Sequence, residues 1–210
     1  MTRQIAGFEL RLPESWHAVP GGLPDVSEWA RATADELVRG AMADGEVAAQ
    51  IEDTVDVLAE QLVDVAASVQ ESGITALETA ALVRNPERGV VDAMIAVVAQ
   101  QGLTAVAFTH QLKELVEDAE ATEYLYAGEI EGTVDAGEVA GMHMMLGDPA
   151  VDRGDGVAQL EERVVLGVFP EGGSDMIEVT AIARSVGSFD DMPQEMIDLL
   201  AGLSVEMENA

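Results

Sequence analysis

His143 lies in the stretch GMHMML, between Met142 on one side and Met144 and Met145 on the other. An imidazole in a methionine-lined pocket can serve as a general base or a ligand, if a placed partner orients it. The plainer reading is a core histidine with its hydrogen bonds satisfied. No partner acid is visible beside it in the sequence, which favours the plainer reading. The three methionines carry the same choice, between an adaptable apolar binding surface and filler for an uneven core. His17, at the exit of a strand, reads as a corner residue, and His110 as a boundary residue on a helix. No two of the three histidines stand at metal-ligand spacing.

The acids are the other chemical resource. Asp53, Asp56, Glu60 and Asp64 fall on one face of a helical pattern, where like charges at this spacing cost stability. They form a docking face for an Arg- or Lys-rich partner, or the solvent face of an already acidic protein. The loop Asp148-Pro149-Ala150-Val151-Asp152-Arg153-Gly154-Asp155-Gly156 holds three carboxylates without the alternation and closing Glu of a calcium loop, so it reads as a solvated turn. No metal and no cofactor is expected. There is no cysteine, which removes thiolate chemistry and Cys-based zinc sites. Neither GxSxG nor a glycine-rich phosphate loop occurs. Lys113, the only lysine, sits among acids in QLKELVED, where a salt bridge explains it. With 40 acids, any fold brings some carboxylates together, so a hydrolase built on buried carboxylates stays open.

The charge balance narrows the partners. Forty acidic residues stand against 10 basic ones, a net of -30 in 210 residues. Such a field repels phosphate backbones and anionic membranes, and it steers a basic protein inward. The longest apolar runs, such as AMIAVVA at 93–99, are too short to span a bilayer, and the N-terminus shows no signal-peptide core. The expectation is a cytoplasmic protein with no nucleic acid partner and no membrane insertion.

The elements that must carry these residues are legible in outline. Phe8, Leu10 and Leu12 alternate with Glu9 and Arg11, the period of a half-buried strand, and Pro13 stops it. Trp16 turns back toward the core. A helix begins at Asp25 or Ser27, with Val26, Trp29, Ala30, Thr33 and Leu37 inward. After a break between Gly40 and Gly45, Val47, Ile51, Val55, Leu58, Leu62, Val65 and Val69 step along a long helix that Gly73 ends. Strands at 74–84 and 89–99 are expected around a hairpin loop at Asn85–Gly89, the second apolar on both faces and therefore central. A helix from Gly102 to about Glu120 turns Ala105, Phe108, Leu112 and Leu115 inward. Strands follow at roughly 122–133, 137–146, 157–169 and 174–185. A last helix, capped by Asp190 or Asp191, packs Met196, Ile197, Leu199, Leu200 and Leu203. Adjacent strands interrupted by helices predict one α+β domain over 1–210, a mainly antiparallel twisted sheet flanked by helices, with room for a helical insertion at about 25–72.

The opening Gly7, Phe8, Leu10, Leu12, Pro13 and Trp16 resembles the first strand of PsbP-like proteins. The late strand with Ile177, Val179, Ala181 and Ala183, then Ser188-Phe189 and a helix closing at Leu203-Ser204, is similar to the end of that family. The resemblance implies an α/β/α sandwich of the kind found in photosystem extrinsic subunits, Ran-binding Mog proteins, actinobacterial lipoproteins and secretion-effector chaperones. It implies binding or chaperoning and supplies no catalytic residue. The expected role is a non-enzymatic adaptor or chaperone-like protein that holds another protein. The alternatives are an acid-base hydrolase using His143 or buried carboxylates, and a structural subunit of an oligomer.

Overall fold

The antiparallel pairing that the alternating stretches predict is the frame of the molecule. The structure, a computed structural model, describes residues 3–22, 25–42, 48–72, 78–117, 123–148, 159–183, 185 and 187–209. Among these, β1 (Arg3–Leu10) pairs with β9 (Leu203–Asn209) as a two-stranded ribbon. Seven strands form a second, antiparallel sheet in the order β2-β3-β4-β8-β7-β6-β5. They are β2 (Trp16–Val19), β3 (Glu78–Leu82), β4 (Ala93–Gln101), β5 (Glu123–Val134), β6 (Gly137–Asp148), β7 (Gln159–Phe169) and β8 (Asp175–Ala183). With helices α1 (Val26–Ala41), α2 (Ala48–Ser72), α3 (Ala105–Glu117) and α4 (Met192–Leu200), this is an α+β sandwich. The chain divides into two compact units, Glu14–Met94 and Met1–Pro13 with Ile95–Ala210.

The first unit is built on two helices. Asp25 caps α1, its Oδ1 accepting the Glu28 N–H at 3.0 Å, an interaction that contributes about 1 kcal/mol. Ala30, Ala34 and Val38 of α1 and Val55, Leu58, Leu62 and Val65 of α2 are buried with Val19, Ala81 and Val83. The predicted α2 stripe is present over Ile51–Val65. Val47 and Gly73 lie outside the described residues, as do 149–158, the greater part of the acidic loop. Arg31 bridges to Glu52 and Asp56, and Arg39 to Asp35 and Glu52. These side chains are about half exposed, so each pair adds at most about 1 kcal/mol and sets the pairing of the helices more than it stabilises them.

The β3–β4 connection departs from the expected hairpin. Pro86–Arg88 form a 3₁₀ turn, and Val90 and Val91 precede β4 instead of belonging to it. The cause is Gln61 of α2. Its Nε2 donates to Gly89 O at 2.7 Å and its Oε1 accepts the Val91 N–H at 3.0 Å, so the main chain here is engaged by a helix side chain, not a neighbouring strand. Gly89 has φ +63, and a Cβ there would come within 3.2 Å of Thr54.

In the second unit, registers decide which face each residue serves. Met142 pairs with Val165, and Val139 with Val168, so residues of different parity on β6 lie on opposite faces. α3 seats Phe108, Leu112 and Val116 over Met142, Met144, Leu146, Val165 and Met176. Leu115, expected inward, is 63% exposed. An i, i+4, i+8 stripe uses Val116 instead. Gly167 leaves space for the edge-to-face pair of Phe108 and Phe169, whose centroids are 6.0 Å apart. α4 lies on the other face, Ile197 Cδ1 being 3.5 Å from where a Cβ on Gly132 would sit, and Gly132 pairs with Val139. Asp191 caps α4 through the Gln194 N–H at 3.1 Å. Leu203-Ser204, read as the close of this helix, instead begins β9.

One packing defect offers a test of the first unit. Thr79 is buried beside Val19, and its Oγ1 is the one described buried side-chain polar atom without a hydrogen-bond partner. An unsatisfied buried hydroxyl costs about 1–3 kcal/mol. Thr79→Val should therefore raise stability by about 1 kcal/mol, read as a higher urea midpoint at unchanged slope. An unchanged or lower midpoint would show that the hydroxyl is satisfied.

Candidate functional site

Two places in the structure bring chemically capable side chains together in ways the sequence only hinted at. The first is on the α4 face of the sheet. β6 and β7 pair His143 with Val164 and Met145 with Glu162, so His143 and Glu162 are diagonal neighbours on one face. His143 Nε2 lies 2.8 Å from Glu162 Oε1. Glu162 is 5% exposed. Tyr126 completes the group, its ring 5.3 Å from the imidazole and inclined at 66°.

Tyr126 is there because of a bulge. Tyr124 pairs with Leu146 and Tyr126 with Met145, with Leu125 as the extra residue. Strict alternation would put both tyrosines on the α3 face. The extra residue sends Tyr126 to the opposite face while Tyr124 stays packed near α3. The phenol then lies over Gly128, where a Cβ would stand 2.2 Å from its oxygen.

Against an ionised Glu162 the imidazole must donate through Nε2–H. An imidazole held by a carboxylate through one nitrogen can be a structural pair, or a base that works through the other nitrogen, so the contact by itself fits either role. Met142 and Met144, flanking residues in the sequence, point to the opposite face and are buried under α3. Met145 alone shares the histidine's face. The sequence therefore placed together four residues that the sheet separates, and Glu162 and Tyr126 were missed. The signal that finds them is register, which needs the neighbouring strands.

The second place is the outer face of α2. Asp53, Asp56, Glu60 and Asp64 are all exposed there, as the helical spacing predicts. Asp56 is bound to Arg31. Val57 falls in the middle of this stripe and is 50% exposed; Val90, beside it across Gly89, is 42% exposed. Both valines adjoin Gly89, and Asp53, Glu60 and Asp64 share the Val57 face of the helix by their spacing.

Other carboxylates are accounted for by structure. Asp175 is buried and accepts from the Ile5 N–H and the Ser174 hydroxyl, each at 3.0 Å, joining β8 to the ribbon. Glu178 accepts from Gln100 and from Thr180, and burial pushes its carboxyl above the usual range. His17 is held below its ordinary value by burial, with Glu36 opposing. His110 lies 3.4 Å from Glu114, and Lys113 2.8 Å from Glu129. Among the described residues no group of three or more His, Asp or Glu is placed to hold a metal ion, and no helix is long and apolar enough to cross a membrane. No protein-family model matches the chain, and no curated protein matches it.

Two measurements test these assignments. If His143 and Glu162 form a structural pair, His143→Leu alone strands a buried carboxylate and costs about 3 kcal/mol, while the double change to leucine at both positions recovers most of the loss. Urea unfolding of the three variants reads this; equal losses for single and double variants would reject the pairing. For Glu178 the raised pKa means that the folded state holds its proton more tightly than the unfolded chain. Its contribution is favourable in acid and is lost as pH rises above the ordinary carboxylate range. Glu178→Gln should then be stabilising at pH about 7, with the gain fading below pH about 4. A gain independent of pH would remove the titration as its cause.

Proposed function

We propose that the chain is a non-enzymatic, cytoplasmic protein-binding protein of the adaptor or chaperone-like type. It holds a basic segment of another protein on the exposed face of α2. The observation that carries this reading is the Val57–Val90 patch set among Asp53, Glu60 and Asp64. An apolar centre with a charged rim is the anatomy of a protein-binding surface. The partner is basic because the rim is acidic and the whole chain, at -30, steers cations toward it. The resemblance to the PsbP-like family supports binding over catalysis. An acid-base hydrolase has one observation in its favour, the His143–Glu162 contact.

The test uses charge reversal away from the Arg31 bridge. Asp53→Arg/Glu60→Arg should abolish capture of the stoichiometric protein that the wild type retains from host extract, and Val57→Ser should weaken it. Glu117→Arg/Glu131→Arg, the same charge change at exposed positions elsewhere, should leave capture intact. Equal capture by the α2 variant, or equal loss in both charge-reversal variants, would overturn the assignment of this face.

A further inference from the structure

Among the described residues the β1–β9 ribbon has one edge with nothing paired to it, and its register shows which main-chain groups face that edge. Arg3 donates its N–H to Gly172 O and accepts the Ser174 N–H, and Ile5 donates its N–H to Asp175. These groups point away from β9, so Arg3–Asn209 and Ile5–Met207 are the non-hydrogen-bonded pairs of the ladder. At the other end Arg11 donates to Gly202 O, so Gly202 faces β1. Counting in twos along β9 from either end gives one answer: Leu203, Val205 and Met207 turn their main-chain groups outward. Met207 O takes the Arg3 guanidinium at 3.3 Å. The N–H groups of Val205 and Met207 have no partner among the described residues.

The same three residues line a cavity of about 560 Å³ whose other walls include Glu9, Asp135 and Glu171, with Arg3 and Arg11 also contributing. Glu206 and Glu208 project from the other side of the strand, and both are exposed. The bulge in this ribbon lies on β1, between Ile5 and Gly7, so the edge of β9 itself is regular. β5, an edge of the large sheet, is broken by its own bulge, and β2 has four residues.

We propose that the outer edge of β9 is a docking strip for an extended basic segment of another protein, which adds to the ribbon as a third strand. Main-chain hydrogen bonds to Val205 and Met207 supply the pairing. Alternate apolar side chains of the incoming segment pack beside Leu203, Val205 and Met207, and the lysines or arginines between them meet Glu206, Glu208 and the acids of the cavity wall. A second copy of this chain is the wrong occupant, because it brings together two chains that each carry a net charge of -30. The strip belongs to the second unit and does not depend on α2, so either surface can fail alone.

The probe is a labelled heptapeptide, Lys-Val-Lys-Thr-Lys-Val-Lys, compared with the same residues in blocked order, Lys-Lys-Lys-Lys-Val-Thr-Val. Charge is equal, so general attraction to an acidic protein cancels. The alternating peptide should bind about tenfold tighter, a difference that a few cross-strand pairs supply. It should also slow hydrogen exchange at the Val205 and Met207 amides of the wild-type protein. Val205→Pro removes an outward N–H that the ladder does not use, a change edge strands tolerate, and should erase the preference. Equal binding of the two peptides, unchanged exchange at both amides under saturating peptide, or a dimer of the free protein that Val205→Pro dissolves would each overturn the proposal.

Discussion

The pleat of β5–β8 is the constraint on which the second unit depends. Each strand can show a residue to only one face, and the antiparallel registers carry that choice from strand to strand. Met142 and Met144 go to α3, and Val139, His143 and Met145 to the face where α4 packs. A slip of one residue would exchange the two sets and expose several core side chains, each worth about 1.5–3 kcal/mol of burial. The energy that fixes the register therefore also fixes which acid meets His143. The exception is the bulge at Leu125, which moves Tyr126 to the other face. The small residue at Gly128 makes that move sterically possible, because any side chain there would collide with the phenol.

Charge acts at a different level. The exposed bridges of Arg31 and Arg39 stabilise little, and a net of -30 makes the surface self-repelling. On the function proposed above, what the acids do is select: exposed carboxylates share the Val57 face of α2 and the outer side of β9, and a field of that sign steers cations inward. The two proposed strips differ in the shape they would take, a surface-lying segment on α2 and an extended one on β9.

Much of the frame was legible because periodicity survives in one dimension. The α2 stripe, a cap at Asp190 or Asp191, the central position of β4 and the α+β class could all be read from spacing. The errors come where a third partner intervenes. Val90 and Val91 look like strand, but Gln61 holds the neighbouring main chain from a helix 28 residues away. Leu115 fits a helical stripe as well as Val116 does, and only the position of β6 and β7 decides between them. Leu203 starts the alternation of β9, yet it follows α4 closely enough that Leu203-Ser204 reads as the close of the helix. His143 was singled out without its partner because Glu162 lies 19 residues on, in another strand, and the register that joins them is not written in either segment alone. The PsbP-like resemblance speaks to the layered class and leaves the role of each surface to experiment.

If the scaffold holds a cationic partner on the acidic face of α2, His143, held by Glu162, takes no part in that contact. The most direct measurement is a chemical-shift map, with amide and imidazole signals followed while a lysine-rich peptide carrying one leucine is added. Changes are expected to centre on Val57, Glu60 and Val90, with the ring signals of His143 and Tyr126 unmoved. Changes centred on His143 and Tyr126, or spread evenly over every acidic surface, would contradict that reading.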